Sequence, residues 1–405
     1  MGQINYRSRG DTRSSFDDTL SVGLADSASA LYSACVTGAA AIPDLLERWR
    51  LYERLGGRST RTASFILLVL ASLATGCATF HQASDKAFIR EPGDRMYRPP
   101  ADVSESAKGL WEYAVLSENA YHGEWKRQRP APPEQEAQVL QLPEATPEAY
   151  ASRCVPERVG PIPLPGWTMW EDFPSRSLIR EAIRVGLFVE VWEKRSSPPV
   201  VAIVFRGTEF NSLKDWISNL RWFLRFVPWY EDQYTVVSGR VGREFVDRLA
   251  ARRPELTGDG AKAVRIVAAG HSLGGGLAQH VAYSMPLTSS AGAPVPRVSS
   301  VYAFDPSPVT GWSSVASELR RANAAGLWID RVFEHGEILA YVRLLMSYAV
   351  PPSAANPSVK EIRYNFVQSV NPFSSHSMRL LACALVDASG HARLPDVIER
   401  FRGKR

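Results

Sequence analysis

Apolar positions follow two different periods along the chain after residue 166. Short apolar runs rich in β-branched residues predict strands at 186–192, 199–205, 264–269, 298–304, 327–333 and 361–367. Apolar or small residues at helical spacing predict helices at 234–252, 275–283, 313–325 and 378–386. Because strands and helices alternate, this part of the chain predicts an α/β domain with a mostly parallel sheet flanked by helices.

A different pattern precedes this domain. Apolar residues at helical spacing predict a helix over 104–121 that packs onto the domain. Residues 130–165 contain nine prolines mixed with acidic and amide residues, which is typical of an extended or flexible insertion. We therefore divide this region into an N-terminal helix and proline-rich insertion at 78–165 and an α/β domain at 166–400.

The first 77 residues carry no pattern of a folded core. Residues 1–60 have no sustained period and are interpreted as disordered or not translated. Residues 61–77 are interpreted as a signal segment. Arg54, Arg58 and Arg61 precede an apolar run at 65–73 that ends in small residues, and these are the parts of a secretory signal. The run is shorter than the roughly 20 residues that span a bilayer. Secretory signals normally begin near the first residue, whereas this apolar run lies some 60 residues into the chain. It can therefore be interpreted as a signal with the true start further downstream, as an internal anchor, or as a buried core helix.

The end of this segment, Ala74-Thr75-Gly76-Cys77, resembles the lipobox of bacterial lipoproteins, although alanine occupies position 74 where leucine is usual. The resemblance implies that Cys77 is acylated and becomes the new N-terminus. It also implies a membrane-anchored lipoprotein of the bacterial cell envelope, with secretion as the alternative. Cys154 and Cys383 would then lie in an oxidising compartment, where a disulfide is permitted but not implied.

Composition narrows the function classes. The 405 residues are 45% hydrophobic and 22% charged, which is typical of a globular protein. The net charge of +5 is modest, and the only dense basic run is the tail at 400–405. We therefore expect no nucleic-acid partner. Cysteine spacing gives no metal signature, and we expect neither a metal nor a cofactor.

The strongest chemical motif is Gly270-His271-Ser272-Leu273-Gly274, which stands between a predicted strand and a predicted helix. Glycines flanking a serine at a sharp strand-to-helix turn are typical of a nucleophile elbow, which presents the serine hydroxyl to a substrate. The alternative is a glycine-rich turn with only a packing role. As an elbow, the motif predicts Ser272 as a catalytic nucleophile.

A serine nucleophile needs a general base, and that base needs an orienting acid. In α/β-hydrolases the chain order is serine, acid, histidine. Of the histidines after the elbow helix, His376 lies in a loop between a predicted strand and helix, where it can reach the end of the sheet, and is preferred over His335 and His391. His271 and His280 are set aside because they adjoin the nucleophile or lie on its helix.

The acid is less sharply defined. Three carboxylates follow predicted strands: Asp305 after 298–304, and Glu334 and Glu337 after 327–333. We place Glu337 first and keep Asp305 as the alternative. The developing oxyanion also needs preorganised donors. The backbone N–H of Leu273 is one, and the loop after the strand at 199–205 is expected to supply the other.

Three segments in order, Val204-Phe205-Arg206-Gly207-Thr208, then 215–220 and then 270–275, resemble the class 3 (fungal-type) lipase family of the α/β-hydrolase superfamily. The resemblance covers roughly 186–385. It implies an α/β-hydrolase fold, Thr208 as the oxyanion-hole partner of Leu273, and Glu337 in the register of the family acid. The chain departs from the family in having glutamate for aspartate and Phe304-Asp305-Pro306-Ser307 for Gly-Ser-Pro.

The family also carries a lid near the oxyanion loop. Apolar and aromatic residues are concentrated at 216–230, where they would form an amphipathic lid or, alternatively, pack as core.

Together the motifs predict a serine ester hydrolase, lipase-like or phospholipase A1-like in activity, that cleaves lipids or other acyl esters through an acyl-enzyme. The alternative is a weakly active or inactive surface lipoprotein that uses the fold as a binding module.

Overall fold

Nine strands form one sheet in the computed structural model, which describes residues 84–98, 101–123, 141–155, 159–207, 233–253, 264–337, 339, 353–366 and 374–394. All of them belong to the unit His81–Arg405. The strands are β1 Ser84–Arg90, β2 Ala101–Asp102, β3 Trp167–Met169, β4 Val189–Lys194, β5 Val200–Phe205, β6 Arg265–His271, β7 Val298–Phe304, β8 Trp328–Glu334 and β9 Ser358–Asn365. Cys77, Thr208 and the lid predicted at 216–230 lie outside the described residues.

The sheet is mixed, and the prediction of a mostly parallel sheet is wrong. Its strand order is β2-β1-β9-β8-β7-β6-β5-β4-β3. Strands β5 to β9 are mutually parallel, whereas β1 pairs antiparallel with β2 and β9, and β4 pairs antiparallel with β3 and β5. The physical reason is plain at β4 and β5. Only residues 195–199 join them, and a parallel crossover needs a dozen or more residues.

Helices cover both faces of this sheet, which makes the protein an α/β protein. They are α1 Val103–Lys108, α2 Trp111–Asn119, α3 Pro147–Arg153, α4 Arg176–Val185, α5 Gln233–Val236, α6 Gly242–Arg252, α7 Leu273–Ser284, α8 Ser317–Ala324 and α9 Met378–Ala388. A π-helical turn, Val237–Val241, joins α5 to α6, and Trp312–Ser314 and Ser374–His376 form short 3₁₀ helices. Ser175 caps α4 through a hydrogen bond from the Leu178 N–H, and Gly186 ends the helix at φ 70°.

Two hydrophobic cores lie on opposite faces of the sheet because successive strand residues point to opposite sides. In β5, Ala202 and Val204 enter the core shared with α2 and α9, whereas Val201, Ile203 and Phe205 enter the core shared with α4, α6 and α7. Burial on both faces explains why the central strands are continuous apolar runs. This rigid centre carries the strand ends at which the candidate site lies.

Residues before 166 contribute to the same sheet and core. Strand β1 forms an antiparallel ladder with β9, and α2 packs against β6 and α9. A disulfide joins Cys154, directly after α3, to Cys383 in α9. Closing a loop of this length stabilises the folded state by about 5 kcal/mol in the chain-entropy description. No helix within the described ranges is long and apolar enough to cross a membrane.

Candidate active site

Ser272 stands at the sharp turn between β6 and α7. Its φ of 57° lies in the left-handed region, which among the described non-glycine residues only Asp305 shares. Such a conformation costs about 1–3 kcal/mol and persists only where surrounding contacts enforce it. The Ser272 N–H donates to the carbonyl of Phe304 at 2.9 Å, and its own carbonyl accepts from the Ser307 N–H at 2.9 Å. The end of β7 therefore fixes the serine backbone.

The glycines of the turn are required by close backbone contacts. A Cβ on Gly270 would lie 2.4 Å from the carbonyl oxygen of Gly274, and one on Gly274 would lie 2.3 Å from the carbonyl oxygen of Phe205. Both distances are shorter than any real Cβ contact. The G-x-S-x-G pattern is therefore dictated by the packing of β5 and β6 against the first turn of α7.

His376 and Glu337 are brought together at the same end of the sheet. The Nδ1 atom of His376 lies 2.6 Å from Oε2 of Glu337. Glu337 is fully buried and also accepts the backbone N–H of Leu339 at 2.8 Å. His376 ends a 3₁₀ turn before Ser377, whose side chain caps α9, so the imidazole sits where the chain changes from loop to helix. A buried carboxylate on Nδ1 fixes the orientation of the imidazole.

Asp305, the alternative acid, lies against a different histidine. It directly follows β7 with φ 40°, and its N–H donates to the carbonyl of Val332 at 2.7 Å. Its Oδ1 accepts the backbone N–H of Glu334 at 3.0 Å, and its Oδ2 lies 3.8 Å from Nε2 of His271. Both backbone contacts tie Asp305 to the neighbouring strand β8. Glu334, the other acid considered, is the last residue of β8 and is buried.

Two residues of the site, His271 and Tyr121, are not predicted from the motifs. His271 adjoins the nucleophile and is therefore excluded as the general base, yet its ring centroid lies 4.7 Å from that of His376. Its Nδ1 is 2.8 Å from Oη of Tyr121, which follows α2. No motif marks Tyr121. The one available signal was that the helix predicted over 104–121 would pack onto the domain and bring its last residue to the sheet.

The end of β5 adjoins Ser272 directly. A Cβ on Gly207 would lie 2.5 Å from the carbonyl oxygen of His271 and 2.9 Å from Cβ of Ser272. Only glycine can occupy this position without displacing the elbow. The residue after Gly207 is Thr208, the predicted oxyanion partner, which lies outside the described residues. Leu273, the other predicted donor, is the first residue of α7.

The site also groups possible metal ligands. One ligand atom each of His271, Asp305 and His376 lies within 4.8 Å of the other two, and all three residues are buried. The sequence predicted no metal, and this cluster is a feature that only the fold brings together. Tyr121 follows α2, whereas Ser272, Asp305, Glu337 and His376 follow the carboxyl ends of the parallel strands β6 to β9.

Comparison with known proteins adds little to this geometry. No protein-family model matches the chain, and no curated protein matches it. Among solved structures, a deletion mutant of the Rhizomucor miehei lipase propeptide complex matches with 15% sequence identity and a TM-score of 0.34, over 64% of this chain and 67% of that one. A TM-score of 0.34 does not establish a shared fold.

Proposed function

We propose that the protein is a serine ester hydrolase with an α/β-hydrolase fold, related to the class 3 lipases, and that it cleaves carboxylic esters through an acyl-enzyme. One observation carries the proposal. Ser272 is held at φ 57° between a central strand and a helix, and the His376–Glu337 pair, with its 2.6 Å contact, follows strands further along the same sheet. This is the chain order of an α/β-hydrolase triad.

In the first half of the proposed reaction, Oγ of Ser272 attacks the ester carbonyl carbon while Nε2 of His376 accepts the hydroxyl proton. Glu337 holds Nδ1–H and stabilises the imidazolium that forms. The tetrahedral oxyanion accepts hydrogen bonds from the N–H of Leu273 and from Thr208, and one such donor is worth about 10²–10³ in kcat. The intermediate collapses when the alcohol leaves with the proton from His376, and the acyl group remains on Ser272.

The second half reverses these roles with water as the nucleophile. His376 takes a proton from water, the resulting attack forms a second tetrahedral intermediate in the same oxyanion hole, and Ser272 recovers its proton as the carboxylic acid departs. Water, like the leaving alcohol, reacts through a hydroxyl oxygen. An alcohol in place of water would give acyl transfer from the same parts.

Substrate class and location form part of the same proposal. A lipid or other acyl ester fits the resemblance to class 3 lipases and the apolar segment at 216–230. An acylated Cys77 would hold the enzyme at the membrane surface of the bacterial envelope, where such esters occur. The Cys154–Cys383 disulfide supports an oxidising compartment.

Hydrolysis of a graded series of p-nitrophenyl acyl esters tests the proposal. The wild-type chain is expected to hydrolyse them, and Ser272→Ala is expected to lose about 10⁶-fold in kcat, as removal of a triad serine does. Ser284→Ala is the matched control, because Ser284 is a buried serine on the same helix whose hydroxyl donates to the carbonyl of His280. Equal rates for wild type and Ser272→Ala would contradict the enzyme proposal and favour the binding-module alternative.

A further inference from the structure

Three side chains at the elbow form a cluster that ester hydrolysis does not require. Asp305 Oδ2 and His271 Nε2 are 3.8 Å apart, and one ligand atom each of these two residues and of His376 lies within 4.8 Å of the others. All three residues are buried. The triad uses His376 alone of this group, so His271 and Asp305 need another explanation.

Each member is held by a contact on the atom that does not face the cluster. Nδ1 of His376 contacts Glu337 at 2.6 Å, Nδ1 of His271 contacts Oη of Tyr121 at 2.8 Å, and Oδ1 of Asp305 accepts the Glu334 N–H at 3.0 Å. With each Nδ1 acting as donor, the imidazole lone pairs lie on the Nε2 atoms. Metal-binding histidines are held in this way, with the second ring nitrogen bonded to a carboxylate or another oxygen.

The donor set selects the kind of ion. Two imidazole nitrogens and one carboxylate oxygen suit zinc and neighbouring transition metals, whereas magnesium and calcium take oxygen ligands. Zinc with ligands at about 2.0–2.1 Å in a tetrahedral site places those ligands roughly 3.4 Å apart. The His271–Asp305 separation of 3.8 Å is close to this value. Because the ligand atoms of the cluster lie within 4.8 Å of one another, side-chain movements of about an ångström bring them to zinc-binding distances.

We propose that His271, Asp305 and His376 bind a divalent transition-metal ion, with Zn²⁺ as the representative, and that the bound ion inhibits the hydrolase. The ion takes the lone pair of His376 Nε2, the atom that must accept the Ser272 proton. Metal occupancy and general-base catalysis therefore exclude each other. The inhibition rests on the proposed function, whereas metal binding does not.

Calorimetric titration of the full-length chain with Zn²⁺ tests the binding itself. Free thiols are alkylated beforehand because thiolates bind zinc. We expect one ion per chain at this site. Asp305→Asn and His271→Gln should each raise the dissociation constant for Zn²⁺ by at least about tenfold. The Co²⁺ complex should show the visible absorption bands of a tetrahedral site, and both variants should lose them. Asp305→Asn keeps the side-chain shape, so it remains informative if His271→Gln fails to fold.

Two controls separate the outcomes. His391→Gln alters a histidine that stacks on Trp111 and contacts Tyr150, and it should bind Zn²⁺ as the wild type does. Ser272→Ala lacks the nucleophile but keeps the three ligands, so it should also bind normally. Absence of binding by the wild type, or equal binding by wild type, Asp305→Asn and His271→Gln, would overturn the metal site.

Ester hydrolysis under Zn²⁺ titration then tests the inhibition. The midpoint of inhibition should equal the calorimetric dissociation constant, and EDTA should restore the rate. Full activity at saturating Zn²⁺ would overturn the claim that the ion occupies the base. If the metal-free wild type were inactive on every ester, the proposed function would fail, and calorimetry with the Asp305→Asn and His271→Gln variants would still decide the metal site.

Discussion

Two histidine–carboxylate pairs lie side by side at the end of the sheet, and they differ in how the carboxylate is held. Glu337 stands three residues beyond β8 and reaches Nδ1 of His376 at 2.6 Å. Asp305 follows β7 directly, is tied to the β8 backbone, and lies 3.8 Å from His271. A carboxylate several residues past a strand, such as Glu337, can therefore reach Nδ1 of His376. A carboxylate directly at a strand end, such as Asp305, is held by the backbone of the adjacent strand.

Removing the charge of Glu337 should lower kcat more than any change to the His271–Asp305 pair. Glu337→Gln keeps the shape of the side chain but no longer stabilises the His376 imidazolium, and kcat should fall by about 10⁴. Steady-state kinetics on a short acyl ester, with circular dichroism to check the fold, measure this. A smaller loss than that of Asp305→Asn would reverse the assignment of the two acids.

Shortening the same side chain tests reach separately from charge. Glu337→Asp keeps the carboxylate but withdraws it by one methylene from the 2.6 Å contact with His376. A misplacement of this order should lower kcat by about 10²-fold. The same kinetic assay, compared with Glu337→Gln, gives the result. A rate equal to wild type would show that the length of the acid is unimportant here.

Neutralising Asp305 should have a modest effect on hydrolysis. Asparagine retains a carbonyl oxygen that can accept the Glu334 N–H. The lost charge lies beside His271, whereas the proposed base His376 keeps its contact with Glu337. We expect kcat of Asp305→Asn to fall by less than about tenfold, or about 1.4 kcal/mol in the barrier. A loss as deep as that of Glu337→Gln, in a protein with unchanged circular dichroism, would make Asp305 the triad acid.

The smallest effect is expected at the far side of His271. Tyr121→Phe removes the hydroxyl that lies 2.8 Å from Nδ1 of this buried imidazole. Leaving that atom unsatisfied should lower the free energy of unfolding by about 1–3 kcal/mol. Denaturant unfolding checks the value, and an unchanged midpoint would show that the hydrogen bond makes no net contribution.

Much of this site could be predicted from local pattern. The apolar run, the glycines and the small-residue helix specify the turn at Ser272. Chain order leaves His335, His376 and His391 as bases, and a position between a predicted strand and helix favours His376. The pairing of Glu337 with His376 could only be ranked first, because the distance between a strand end and a loop depends on tertiary packing. The structure now places the two in contact at 2.6 Å, and the catalytic role of that contact stays a prediction.

The remaining features are non-local, and no motif marks them. Tyr121 meets His271 across 150 residues of chain, and Cys154 meets Cys383 across 229. The mixed sheet has a similar origin, since β1 pairs with β9 from the other end of the domain. One part of the topology was readable from the sequence: the short link between the strands at 186–192 and 199–205 already required an antiparallel pair.

The proposed function requires Ser272 to be an activated nucleophile. Treatment of the intact chain with an alkyl fluorophosphonate, followed by mass spectrometry of the protein and its peptides, measures this directly. The proposed function predicts one adduct per chain on the peptide that carries Ser272, no adduct in Ser272→Ala, and strongly slowed labelling in Glu337→Gln. An unlabelled wild type, or equal labelling of Ser272→Ala, would contradict it.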